Sequence, residues 1–567
     1  MARNTRLPEW ITRRMKIFCL SLLVWLSPSY AGNAPADSPN LASLELGKQI
    51  YRKGKLPNGQ PLHAVGAGNA PIIGTQTTCI SCHRRSGLGA SEGVNRAPPI
   101  IGEILFQART LAYRELGGTR LSGKGARPAY TEESLLAAIN EGKDVTGRNL
   151  DPLMPRYAFS KADAKLLIQY LNSLSMSGAA GISDTTIHFA TVFTPDTLPA
   201  HKTTVEKILQ AFFRDYNAET RNEKGRAKNA PWHKTRQYTS YRQLDLRTWN
   251  LEGPAETWNS QLKKLYGQQP VFAVINGIGH AYWQPIHDYC ETNEIPCLFP
   301  TTDLAGQSAE HYYSMYFSEG VNLEARAIAA HLGAESEPPK TILQLYRRNA
   351  KGQAAAASLS QQSVNNRKIN VIDLALDNNP ALDNASLREK VREKISHYKA
   401  DAVVLWLDTA DMKNISDELG SNAQIQFIFV SSTYTRSPEN LLPPTALAKT
   451  YLLSRFVPEN NLDAHLRRFT TWAKPRDIDL ADERVAANAY FAAMIVTSAT
   501  RSLRAYLTRD YLIERIEHML ERAVFHSVFP EFTLGPGQRF ASKGSYIIGP
   551  LKPADTKSTP PAQWIIP

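Results

Sequence analysis

Cysteine is scarce in this chain, with five residues in 567, so a disulfide scaffold is excluded and ordinary apolar cores must hold the fold. Membrane-length apolar runs are missing as well: the run at 17–26 has ten residues, against the ~20 that a spanning helix needs. Clustered cations are also lacking. Beyond the N-terminal segment, basic residues occur in pairs such as Arg84-Arg85, Arg347-Arg348 and Arg467-Arg468, so the net charge of +12 does not imply nucleic acid. No Ser/His/Asp nucleophile elbow, phosphate-cradling glycine loop or HExxH metal pair is found, which favours a carrier or binder over a catalyst. With 43 % hydrophobic and 21 % charged residues, disordered, collagen-like and coiled-coil classes drop out, and the length suits about three or four domains' worth of chain.

Part of the charge belongs to a segment expected to be removed. Arg3, Arg6, Arg13, Arg14 and Lys16 outweigh Glu9, the apolar run 17–26 follows, and Ser29-Tyr30-Ala31 precedes Gly32. That order of basic, apolar and small residues reads as a signal peptide over 1–31, with translation starting at Met1 or Met15, and it places the protein in the periplasm. The remainder carries a net charge of +8, and no transmembrane segment is expected after cleavage. Cys19 is a passenger in the discarded segment.

Residues 32–43 read as a flexible leader. A helix is expected from Leu44 to Gly54, and then residues 55–130 are rich in Gly and Pro and poor in periodicity. A loop of that length within a compact unit suggests an organiser that is not protein. Two helices follow, one capped by Thr131 and stopped by Gly142, the other opened by Ser160 with Leu167, Tyr170 and Leu171 on its apolar side. Small residues at 175–183 mark a linker. Beyond it, apolar strand-like runs at 187–193, 270–276, 295–300, 341–346, 368–374, 402–407 and 426–431 alternate with helical patterns. That rhythm predicts parallel sheets covered on both faces.

Cys79-Ile80-Ser81-Cys82-His83 carries the chemistry. Two thiols three residues apart can reach both vinyl groups of one porphyrin, and the adjacent imidazole can then reach the iron, so the motif predicts one covalently attached haem c. A zinc site would need a second Cys/His pair, and a redox dithiol would need a βαβ setting, whereas this motif lies in a Gly/Pro-rich loop region. Met154, between Pro152 and Pro155, is the candidate sixth ligand, with His63 a lesser rival. Residues 44–174 resemble a class I cytochrome c domain in Gly47, Tyr51, Cys79, Cys82, His83, Pro98-Pro99, Met154-Pro155 and Tyr170-Leu171. The resemblance implies a small all-α domain with His83 proximal and Met154 distal on the iron, and by analogy a Pro99 carbonyl accepting from the other imidazole nitrogen. A single motif argues against a di-haem peroxidase.

Residues 184–567 resemble the type I periplasmic substrate-binding proteins of branched-chain amino-acid transporters. The matching pieces are the run 187–195, the run 271–280, the run 295–302, the aromatic 313–317, the strand 401–406 and the closing 532–539. The resemblance implies an α/β domain of two lobes with a solute in the cleft between them. By position, Thr194, His280, Thr301, Thr302, Trp406, Asp408 and Tyr434 are the candidate ligand contacts. A charged stretch at 214–247 containing Trp232 replaces the family's usual Gly-rich segment. Cys290 and Cys297 are spaced to close a short loop as a disulfide in an oxidising compartment.

Two readings follow. In the first, a periplasmic mono-haem cytochrome transfers electrons to or from a periplasmic redox protein or dehydrogenase, and a solute-binding-like domain recruits a substrate or enzyme. In the alternative, the protein is a solute receptor of the transporter type with an accessory haem domain.

Overall fold

The computed structural model describes residues 41–567 apart from 94, 109–126, 176–177, 221–241, 281, 309, 366–368, 379–383, 481, 505, 523–526, 536 and 554–558. The expected signal segment 1–31, residues 32–40 of the leader, Met176 and Trp232 lie outside the described residues.

The N-terminal unit is built on two helices, Leu41–Lys53 and Lys161–Ser173. They pack so closely at Gly47 that an added Cβ would lie 2.3 Å from the Leu166 carbonyl oxygen and 2.8 Å from Tyr170 Cβ. Only a residue without a side chain permits that approach. Around the contact, Ile50, Tyr51, Leu135, Ile139, Tyr157, Leu167 and Leu171 are buried in one cluster. Each large apolar side chain contributes about 1.5–3 kcal/mol by leaving water.

The two capping expectations are borne out. Thr131 Oγ1 accepts from the Ser134 amide at 3.2 Å, Ser160 Oγ accepts from the Asp163 amide at 3.1 Å, and Gly142 closes its helix at φ 71°.

The unit is not all-α as expected. Strands Pro71–Ile73, His63–Val65 and Arg156–Tyr157 form a small antiparallel sheet, and Ala90–Glu92 pairs with Asn95–Ala97. These strands are two or three residues long, too short to leave an alternating pattern in the sequence.

Beyond residue 183 the chain forms two lobes. Among the described residues the first lobe has a five-stranded parallel sheet in the order Ser314–Met315, Cys297–Leu298, Ala273–Ile275, Thr186–Phe193, Gln243–Asn250. The second lobe has seven strands in the order Asn370–Leu376, Thr341–Arg347, Ala402–Trp406, Phe427–Ser431, Thr450–Ser454, Ser545–Ile548, Ala562–Ile565. Its expected strands pair parallel, and two further strands at the end, not expected from the sequence, run antiparallel.

The chain crosses between lobes near 316–320, 455–458 and 529–544, so one pocket collects residues from distant parts of the sequence. Helix Glu483–Leu503 returns to the first lobe and packs on helix Pro199–Thr220. It is buried nearly all round because alanines and small residues cover several of its faces. Such a helix has no amphipathic stripe to announce it.

Candidate functional site

Two concave sites stand out. The first is a cavity of about 700 Å³ in the N-terminal unit, with Cys79, Cys82, His83, Met154 and Tyr157 among its walls. One short helix, Ile80–His83, fixes the motif: the Cys79 amide donates to the Tyr51 carbonyl at 3.1 Å and the His83 amide to the Cys79 carbonyl at 2.9 Å. Both thiols are free.

The His83 side chain is buried, and Nδ1 lies 2.9 Å from the Pro98 carbonyl oxygen. Pro98 therefore replaces the expected Pro99, because the hairpin ending at Ala97 delivers the Pro98 carbonyl to the ring. Burial lowers the His83 imidazole below its ordinary value, and the Pro98 contact occupies Nδ1 and leaves Nε2 as the other ring nitrogen.

The Met154 loop, also on the cavity wall, is tied down by Arg156, whose guanidinium donates to the Met154 carbonyl, to Leu150 O at 3.2 Å and to Asp151 O at 3.4 Å. Arg156 was not singled out from the sequence, since nothing local marks an arginine that caps carbonyls of a loop five residues back. His63 is exposed on its strand and does not line the cavity, so it is no rival for Met154. Two thiols, a neutral imidazole and a thioether around an apolar-walled space of this size are a donor set that fits a covalently bound haem.

The N-terminal unit is bolted to the first lobe. Glu514 accepts from the Ser86 amide at 2.8 Å and from Ser86 Oγ at 2.6 Å, three residues past His83. Arg52 donates to Asp510 at 3.2 Å and to Glu294 at 3.2 Å, and the Arg85 guanidinium sits 3.8 Å from the Tyr312 ring centre. Burial pushes the Glu514 carboxyl up to about 8 despite the two hydrogen bonds from Ser86.

The second site is a pocket of about 180 Å³ between the lobes. His280, Thr301 and Asp303 come from the first lobe, Thr433 and Arg455 from the second, and Arg484 from the start of the buried helix. Asp303 is the hub. Arg455 reaches it at 2.6 Å, Lys351 at 3.2 Å and His280 at 3.7 Å. Burial would raise this carboxyl, but those three neighbours hold it well below the usual carboxylate range. Gly320 is pinned against it: at φ 71° an added Cβ would meet the Asp303 carbonyl oxygen at 1.9 Å. A second link, Arg436 to Asp482 at 3.1 Å, joins the end of a second-lobe strand to the N-cap of helix Glu483–Leu503. Behind Arg455, the fully buried Glu324 accepts from Thr433 Oγ1 at 2.9 Å and from Ser431 Oγ.

Of the seven expected ligand contacts, His280, Thr301 and Thr302 line this pocket. The other four do not. Thr194 Oγ1 is spent on Asp196 and on the Ile278 carbonyl at 3.1 Å. Trp406 is wholly buried and donates to Gln344 at 3.2 Å, and Asp408 caps helix Thr409–Ser421. Tyr434 packs its ring 4.6 Å from the Lys351 ammonium, beside the pocket rather than on its wall. Each sits at the end of a parallel strand or just past it, where a cleft residue and a helix cap are alike in sequence. Arg436, Arg455, Asp482 and Arg484 were not foreseen. Cys290 and Cys297 are disulfide-bonded, as their spacing suggested.

The profile described as periplasmic binding protein matches residues 242–547, more than half of the chain. The protein therefore belongs to the periplasmic binding protein family. Solved structures similar to it include a fatty acid ABC transporter substrate-binding protein from Thermomonospora curvata, 16 % identical over 69 % of this chain and 94 % of that one with a TM-score of 0.46. A type 1 periplasmic binding protein from Bordetella pertussis is 13 % identical over 67 % and 100 % with a TM-score of 0.48. The branched-chain amino acid transporter substrate-binding protein of Streptococcus pneumoniae, solved with isoleucine, is 14 % identical over 68 % and 100 % with a TM-score of 0.45. No curated protein matches the chain. Among the described residues no helix is long and apolar enough to cross a membrane.

Proposed function

We propose that the protein is a periplasmic solute-binding protein of the kind that serves ABC transporters, and that its N-terminal unit carries one covalently attached haem c. The observation that carries the first part is the interlobe pocket, whose polar walls come from both lobes and meet through Asp303, Arg455 and Lys351. Solute entering between the lobes replaces part of that self-pairing, and closure follows from contacts made to both sides at once. The family membership favours this reading over the first one drawn from the sequence, in which electron transfer is the principal task.

The haem rests on the cavity and its donor set. Cys79 and Cys82 would hold it as thioethers, and His83 and Met154 would ligate its iron. When bound, the group supplies one-electron transfer at a raised potential, which suits exchange with a periplasmic redox protein or dehydrogenase. The Pro98 carbonyl orients His83, and Arg156 holds the Met154 loop in place.

The solute-binding reading is tested by small-angle X-ray scattering on the full chain against a panel of carboxylates, amino acids and sugars. A smaller radius of gyration with at least one solute is expected, and no change with any solute contradicts it.

A further inference from the structure

Arg484 is the cation of the interlobe pocket that has no carboxylate to itself. Its guanidinium lies 4.4 Å from the Phe456 ring centre and makes no ion pair among the described residues. The pocket's two carboxylates are both committed. Asp303 serves Arg455, Lys351 and His280, while Asp482 serves Arg436 at 3.1 Å, His201 at 3.6 Å and the Val485 amide at 3.2 Å. An ammonium group would find no open acceptor charge here. An anion would find an open guanidinium.

The buried polar atoms without partners point the same way. Ser432 Oγ, Asn488 Oδ1 and Arg455 Nε are buried without a hydrogen-bond partner, in residues only 2 %, 5 % and 3 % exposed. Leaving a buried polar atom unpaired carries a desolvation cost, so a ligand that satisfies these atoms gains affinity. The space of about 180 Å³ equals about six waters at ~30 Å³ each, which limits the occupant to a few non-hydrogen atoms.

We propose that the pocket binds a small hydroxycarboxylate anion of about two to four carbons, its carboxylate on Arg484 and its hydroxyl between Ser432 and Asn488. This deepens the solute-binding reading and rests on it. Burial, together with the nearby Arg436 and Arg455, brings the Arg484 guanidinium down to about 10, and an arriving anion relieves that crowding of positive charge.

The test is isothermal titration of the full chain with sodium glycolate and sodium lactate, their neutral isosteres glycolamide and lactamide, and the zwitterions glycine and leucine. The carboxylates are expected to bind at least about tenfold more tightly than the matching amides, the scale of a charge-assisted hydrogen bond. Arg484→Gln should weaken the carboxylates by a similar factor and leave the amides unchanged, and Arg484→Lys, which keeps the charge, should recover part of the loss. Tighter binding of leucine or glycine, or equal binding of acids and amides, overturns the anion while leaving the solute-binding reading standing. Unaltered lactate binding by Arg484→Gln also overturns it. Silence from every probe, together with an unchanged radius of gyration across the wider solute panel, overturns both.

Discussion

The two sites of this chain solve opposite problems. The N-terminal cavity is large, about 700 Å³, walled mostly by apolar groups, and its chemistry-bearing residues come mainly from one contiguous motif. The interlobe pocket is small, about 180 Å³, lined by charges that pair with one another, and assembled from residues spread between His201 and Phe529. The proposed permanent group would need its neighbours fixed, and the Pro98 carbonyl and Arg156 hold His83 and the Met154 loop in that way. A space built for an exchangeable polar solute needs charges that can trade partners, as Asp303 does among Arg455, Lys351 and His280.

That contrast can be broken in stages. Replacing both Cys79 and Cys82 by serine should abolish covalent haem completely, read as loss of the absorbance that migrates with denatured protein on a gel, while solute titrations stay unchanged. Asp303→Asn strands the buried Arg455 and should cost about 3–5 kcal/mol of stability by denaturant unfolding without altering haem attachment. Gly47→Ala places a Cβ against the Leu166 carbonyl and should cost about 1–3 kcal/mol, confined to the N-terminal unit when followed by hydrogen exchange.

Glu514 gives a smaller, pH-dependent effect. Its folded-state value of about 8 lies above the ordinary 4.5, so the folded protein retains a proton that the unfolded chain gives up. Stability conferred by this group is present below about pH 4.5 and is lost as pH rises towards about 8. Glu514→Gln should remove that slope, seen as a flatter melting-temperature profile between about pH 4.5 and 8. Smallest of all, Lys53→Ala removes an exposed pair with Glu310 and should move stability by less than ~1 kcal/mol.

The two sites also differ in how far they could be read from sequence. Cys79, Cys82 and His83 fall within five residues, and the helix caps at Thr131 and Ser160 are local too, so the grouping of the three side chains on one short helix and one cavity wall was legible. The interlobe pocket was legible only at His280, Thr301 and Thr302, which follow strand ends that run into the cleft, and its hub Asp303 was not. Arg436, Arg455 and Arg484 look like ordinary surface cations in sequence, and only the crossings between lobes bring them together. Strand Gln243–Asn250 escaped notice because it lies at the sheet edge and is only partly buried, so charged Asp245 and Arg247 are tolerated in it. Trp406 misled for the reverse reason: a strand-end aromatic suggests a cleft contact, but Gln344 holds its indole in the core.

The most direct test of the account is the intact mass of the periplasmic protein, recorded under denaturing conditions after exhaustive dialysis. The account predicts the mature polypeptide plus one haem and nothing else, the covalent group surviving unfolding while any solute is gone. A mass equal to the bare polypeptide would contradict it.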